Sequence, residues 1–177
     1  MISQVLSFAL LASATGLLVA HRPVAEWSGR SAALFCAGLL LTLAAASGLV
    51  SLNAQADVLL QQLATYAALP VLAAVLLADT AGVTCQRPAW GRVLLGICAL
   101  YELMRRAGML DYLLLGTTVA GGSALLLMLA RRQHTPAAIV ATLGWVMATA
   151  SVVTGADTTI TAILCSASLI MQVRRAE

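Results

Sequence analysis

Long apolar runs alternate with short polar connections along the whole of this 177-residue chain. Most of the runs approach the roughly 20 residues that an α-helix needs to cross about 30 Å of hydrocarbon. The seven runs are residues 2–20, 31–52, 58–78, 93–104, 112–130, 137–156 and 158–173. Helices are expected because a backbone inside a bilayer must satisfy its own hydrogen bonds. The pattern predicts an all-α polytopic membrane bundle of seven transmembrane helices.

The fourth run is the exception to this regular spacing. Twelve residues separate Arg92 from Arg105, and as a helix they extend only about 18 Å at about 1.5 Å per residue. Such a segment either crosses the membrane with support from its surroundings, or it is re-entrant and returns to the side from which it entered. Arginine in short loops favours the cytoplasmic side, so the distribution of arginines separates the two alternatives.

Seven crossings with an outer N-terminus place eight arginines inside and two, Arg105 and Arg106, outside. If the fourth segment does not cross, six arginines lie on the inner side and four on the outer side. The stronger bias favours seven crossings, a short fourth helix and a cytoplasmic C-terminus. We place such a protein in a bacterial inner membrane.

Composition supports lipid as the solvent. Hydrophobic residues make up 61% of the chain and charged residues 10%, against about 25% charged in soluble domains. No polar stretch is long enough for a separate soluble domain, so residues 1–177 are predicted to form a single integral membrane domain. The chain has no lysine, which excludes a lysine-bound retinal and other Schiff-base chemistry. The net charge of +3 comes from arginines at segment ends, so a nucleic-acid partner is not expected.

A short internal repeat adds a second level of organisation. The stretch RPVAEWSGR at residues 22–30 returns as RPAWGR at residues 87–92, in two predicted inner loops. We therefore predict three helical hairpins followed by a single seventh helix, with Trp27 and Trp90 as equivalent anchors at the membrane interface. Parallel repeats occur in transporters, but duplicated hairpins also build bundles that transport nothing.

Cofactor motifs are scarce. The cysteines form no C-x-x-C pair, so neither a zinc site nor a disulfide framework is indicated. His21 and His134 are both predicted at the inner boundary, and they would hold a haem only if they approached closely. We expect no cofactor and no metal. Residues 1–20 lack the basic start of a secretory signal, and we interpret them as the first helix.

Aspartates stand at the start of helices on the predicted outer face, namely Asp57, Asp111 and Asp157. An aspartate at a helix N-terminus accepts free backbone N–H groups and suits the positive end of the helix dipole. That explanation needs no ligand. It accounts for each aspartate singly.

The stretch YELMRRAGMLD at residues 101–111 needs more explanation. Glu102 lies three and four residues before Arg105 and Arg106, so all three share a helix face. Charges inside or at the edge of a membrane are costly without partners and mark candidate functional sites. Alternatively, the arginines merely extend to the outer headgroups while Glu102 neutralises one of them. We expect Glu102 to pair with Arg105 or Arg106 at the outer end of the fourth helix, with the cluster turned toward the third and fifth helices.

Four further residues complete the candidate ligand-binding set. Asp111 and Asp57 are expected near the arginines, and Tyr66 and Tyr101 face either each other or lipid. The glycine-rich stretch GTTVAGGSA at residues 116–124 is interpreted as close helix packing and not as a cofactor site.

No nucleophile elbow, zinc-protease motif, phosphate loop or dinucleotide fingerprint occurs in the chain, so we favour a protein without enzymatic activity. The first hypothesis is a small transporter or ligand- or lipid-binding bundle whose outward-facing site holds an anionic small molecule or lipid headgroup. The alternative is a non-catalytic membrane subunit or sensor module with a protein partner or a second copy of itself. The third is a lipid hydrolase that uses Glu102 with Asp57, Asp111 or Asp157 as acid and base.

Overall fold

A computed structural model describes most of the chain. The described residues are 2–20, 28–50, 53–82, 87–130 and 136–153. These ranges are helical almost throughout and contain no strand, so the all-α prediction is confirmed for them. The seventh predicted segment, residues 158–173, lies outside the described residues.

Helices follow one another with short connections. The α-helices are α1 (Ile2–Ala20), α2 (Gly29–Leu49), α3 (Ala54–Leu63), α4 (Leu69–Ala81), α5 (Arg87–Ala107), α6 (Leu110–Ala130) and α7 (Pro136–Val153). α3 and α4 are two parts of one continuous rod, joined by a π-helical segment at Ala64–Ala68. The starts of α2 and α3 are fixed by N-caps, because the side chains of Ser28 and Asn53 accept hydrogen bonds from backbone N–H groups in the first turn.

Three helices are long and apolar enough to span a membrane. They are Gly29–Leu49, Gln55–Ala81 and Leu110–Ala130, and Gln4–Ala20 forms a shorter apolar helix. These lengths and compositions indicate a membrane protein. The seven crossings expected from the sequence are not confirmed.

The core is centred on α4. This helix is apolar on all sides and buried along most of its length, as expected for a helix surrounded by other helices. It packs against α2 on one side and α6 on the other, while α1 lies along α2 and α7 along α6. α5 lies at the periphery against α2, the π segment and α6.

The fourth helix is not short, which corrects the prediction from the sequence. α5 contains 21 residues and includes both flanking charged stretches. Ending the segment at Arg92 and Arg105 was wrong because arginine is a good helix former. Pro88 is also compatible with a helix, because it lies in the first turn, where its missing N–H is not needed.

The middle hairpin was also predicted wrongly. α1 and α2 pack along each other, whereas α4 and α5 touch at few positions. The buried α4 fills the space between α2 and α6, which leaves α5 at the edge. Trp90 is not an interface anchor either, since it lies in the first turn of α5 and is only 5% exposed. Trp27 lies outside the described residues.

Candidate functional site

Glu102, Arg105 and Arg106 form one ion-paired group, which we call the Glu102 cluster. Arg105 donates from Nε to Glu102 Oε2 at 2.8 Å and from Nη2 to Oε1 at 2.9 Å. Arg106 donates from Nε to Oε1 at 2.8 Å. The predicted pairing is confirmed, and both arginines share the one carboxylate.

The cluster arises from local sequence alone. Residues three and four apart on a helix are neighbours, and Arg105 and Arg106 occupy the last turn of α5, where the helix dipole favours cations. The side chains of Arg105 and Arg106 are 51% and 76% exposed. The cluster therefore lies on the outer surface of α5 and is not turned toward the neighbouring helices, which corrects the orientation predicted from the sequence.

Two guanidinium groups around one carboxylate strongly favour its ionised form. Hydrogen bonds from Arg105 and then Arg106 lower the pKa of Glu102 to about 2, and the same contact raises the pKa of Arg105. A carboxyl group with this pKa stays ionised at neutral pH and is a poor proton donor. The cluster as a whole carries one excess positive charge.

A tight turn brings the start of α6 next to the cluster. Gly108 adopts a left-handed conformation with φ +68°, which glycine accepts without steric cost. The N–H of Gly108 bonds to the carbonyl of Arg105 at 3.3 Å, and that of Met109 to the carbonyl of Met104 at 2.9 Å. This is a Schellman arrangement. It places Asp111, in the first turn of α6, six residues after Arg105 on the returning helix.

Tyr66 and Tyr101 face each other, which settles the choice left open by the sequence. Their rings are stacked with centroids 6.3 Å apart and an angle of 26° between the planes. Tyr66 lies in the π segment, just before Pro70. Pro70 has no N–H to give the carbonyl four residues earlier, which is a physical reason for the wider helical turn at this point. The π segment also packs against α6, whose first turn contains Asp111.

Asp57, a predicted site member, is not joined to the cluster. Asp57 lies in the first turn of α3, a helix that packs on α2, and its cap is Asn53. One of its carboxylate oxygens is buried without a hydrogen-bond partner in the part of the chain described, and no described contact links it to Arg105 or Arg106. Asp157 lies outside the described residues.

A second ion pair, which the sequence analysis missed, lies at the opposite end of the bundle. Arg30 donates to Asp79 from Nε at 2.9 and 3.2 Å and from Nη2 at 2.7 Å. It joins the start of α2 to the end of α4 across 49 residues of sequence. The sequence did contain an indication of this pair. Each charge lies at the unfavourable end of its helix dipole, where an opposite charge stabilises it.

The described chain also contains a groove of about 530 Å³ between α6 and α7. Its hydroxyl groups, on Thr118, Ser123 and Thr149, donate to backbone carbonyls of their own helices. The groove therefore presents an apolar surface and no free donor for an anion.

The small residues of α6 serve helix packing, as predicted. A side chain at Gly121 would overlap the ring of Trp145 on α7. Trp145 is buried and donates from Nε1 to the carbonyl of Thr118 at 2.6 Å. Within the described ranges, no group of three or more His, Cys, Asp and Glu side chains could hold a metal ion.

Comparison of the chain with protein-family models, curated protein sequences and solved structures finds no match. The functional interpretation therefore depends on the geometry of the Glu102 cluster and its neighbours.

Proposed function

We propose that this protein is an integral membrane bundle that binds an anionic phosphate group through Arg105 and Arg106. The observation that carries the proposal is the sharing of one carboxylate by two exposed arginines. Arg106 uses only Nε in its contact with Glu102, so the two Nη groups of this largely exposed side chain are available. Guanidinium groups bind phosphate oxygens with strong, charge-assisted hydrogen bonds.

The position of the cluster along the bundle supports a site at the bilayer edge. α3 carries Gln55, Asp57, Gln61 and Gln62 within ten residues, whereas α4 carries one charged residue, Asp79, near its far end. The α3 end of this rod is therefore its more polar end. Tyr101 is level with Tyr66 in the π segment, and the cluster follows Tyr101 toward that end, in the direction away from Asp79. We place the arginines among the lipid headgroups.

The direction of the charged face favours binding over transport. A transport pathway would require the arginines to point between the helices, whereas both side chains are more than half exposed. An outward-facing arginine pair at this level fits a lipid headgroup or a soluble phosphate compound that approaches from water. The two sources share the same phosphate chemistry.

We further propose that the chain crosses the membrane seven times, with an outer N-terminus and a cytoplasmic C-terminus in a bacterial inner membrane. Arg30, Arg87 and Arg92 lie toward one end of the described bundle, and Arg105 and Arg106 lie at the other. This distribution agrees with the positive-inside rule when the arginine-rich end is cytoplasmic. α5 is 21 residues long and lies beside the apolar α2, so this helix would cross with the arginines near its two ends reaching toward both headgroup layers.

The test compares the double variant Arg105→Ala/Arg106→Ala with Arg92→Ala. Arg92 is an exposed arginine at the other end of the same helix, so it controls for loss of charge. Each protein is placed in nanodiscs, and its binding of anionic phospholipid and of inorganic phosphate is measured by native mass spectrometry and calorimetry. An arginine near the headgroups contributes about 1 kcal/mol, so the double variant should lose about thirtyfold in affinity. Equal affinity in the double variant and the wild type would exclude the site.

The second candidate function is docking to a protein partner within a larger membrane complex. Leu95 and Leu103 on α5 are 72% and 64% exposed, and they flank the same outer surface as the cluster. A partner would cover both the leucines and the arginines. Two results together would favour this alternative. One defined protein should copurify with the wild type and not with Leu95→Ala, and lipid binding should be unchanged in the arginine variant.

A further inference from the structure

Asp111 presents a free negative charge beside the positive cluster. It follows Arg105 across the two-residue turn at Gly108 and Met109. Its side chain is exposed, and no hydrogen bond or ion pair to its carboxylate is found among the residues that the structure describes. The two charged groups therefore remain separate in the described structure.

Two stacked tyrosines lie close to these charges. Tyr101 precedes Arg105 by one turn of α5 and stacks on Tyr66. The π segment that contains Tyr66 packs against α6, whose first turn contains Asp111. Aromatic faces attract organic cations, and a carboxylate beside them increases that attraction.

Asp111 has a structural role, because its negative charge in the first turn of α6 stabilises the positive end of the helix dipole. Any acidic residue in that turn would do the same. The dipole does not explain the paired tyrosines next to it. It also leaves Asp111 unfavourable for a purely anionic ligand, since its charge opposes a phosphate bound at Arg105.

We infer that the site takes a zwitterionic ligand in which a phosphate and an ammonium group are linked by a short chain, as in a phosphoethanolamine headgroup. This inference rests on the proposed phosphate binding and assigns the second half of the ligand. The phosphate binds Arg105 and Arg106, and the ammonium group lies against Asp111 and the tyrosine pair. The ammonium removes the repulsion between Asp111 and the phosphate, so a zwitterion is selected over a headgroup with only negative charge.

The experiment measures headgroup preference in nanodiscs that contain either phosphatidylethanolamine or phosphatidylglycerol as the added lipid. The wild type should prefer ethanolamine, and Asp111→Asn should lose that preference by about fivefold, as expected for one exposed ion pair and one cation–π contact. Asp111→Glu is the matched control and should keep the preference. Competition by soluble phosphoethanolamine distinguishes a soluble ligand from a lipid, because a site that needs the lipid is not emptied by the free headgroup.

The outcomes separate this inference from the proposed function. Suppose that Arg105→Ala/Arg106→Ala loses binding of both lipids, while Asp111→Asn keeps the preference for ethanolamine. This result overturns the zwitterionic ligand and keeps the phosphate site. Binding of both lipids that is unchanged in the arginine variant overturns the phosphate site itself. A wild type without preference between the two headgroups also contradicts the inference.

Discussion

The two ends of the bundle hold their arginines in different ways. At one end Arg30 and Asp79 come from two helices, and their side chains are 37% and 24% exposed. At the other end Glu102 takes both of its partners from its own helix, where the arginines are largely exposed. The first contact ties α2 to α4. The second leaves its arginines accessible from outside the bundle.

Helix dipoles explain why the two ends should respond differently to mutation. Arg30 is the second residue of α2 and Asp79 lies in the last turn of α4, so each charge is at the unfavourable end of its helix. Their pairing offsets both costs. Arg105 and Arg106 are at the favourable end of α5 and are stabilised there even without Glu102.

The largest effect on stability is expected from Asp79→Ala. This change leaves Arg30 partly buried without its partner, and the free energy of unfolding should fall by about 1 to 3 kcal/mol. Unfolding by a denaturing detergent in mixed micelles, followed by tryptophan fluorescence, measures the change. The double variant Asp79→Ala/Arg30→Ala should be more stable than the single one. A single variant as stable as the wild type would show that the pair does not join the helices.

An intermediate effect is expected from replacing arginine by lysine at each end. Lysine cannot reproduce the bidentate contact that Arg30 makes with Asp79, so Arg30→Lys should lower the free energy of unfolding by about 1 kcal/mol. Arg105→Lys keeps the charge at the exposed helix end and should change stability less. The same unfolding assay compares the two variants, and the reverse order would contradict the proposed difference between the ends.

The smallest effect concerns pH. The pKa of Glu102 is about 2 in the folded protein, against an ordinary value of 4.5, so the stabilisation from its ion pairs is complete above the ordinary value. It is lost as the pH falls through the folded value. The difference in Tm between the wild type and Glu102→Gln should stay constant between pH 7 and pH 5 and narrow below about pH 4. A difference that stays constant below pH 4 as well would indicate a carboxylate with an ordinary pKa in the folded protein, and so one without its arginines.

Local spacing made part of the candidate site predictable. Glu102, Arg105 and Arg106 lie within five consecutive residues of one helix, so their contact needs only helical geometry. Asp57 was included because it also starts a helix, but its position depends on where α3 packs. That information is not present in any short stretch of sequence.

The errors in the fold have a related physical cause. Hydropathy divides the chain at charged residues, whereas a helix continues through arginine when the side chain can reach water or headgroups. α5 therefore extends from Arg87 to Ala107. Trp90 was assigned to the interface because of its neighbouring arginines, yet it contributes to the core.

The sequence by itself indicated that lipid surrounds the chain, that the chain is helical and that Glu102 pairs with its neighbouring arginines. Composition and contacts within two helical turns depend on no distant residue. Only the tertiary structure decided that α4 lies between α2 and α6, that Arg30 meets Asp79, and that Tyr66 stacks on Tyr101. Each of these contacts joins residues far apart in the chain. They depend on how side chains of several helices fill the same space at close packing, which no single segment specifies.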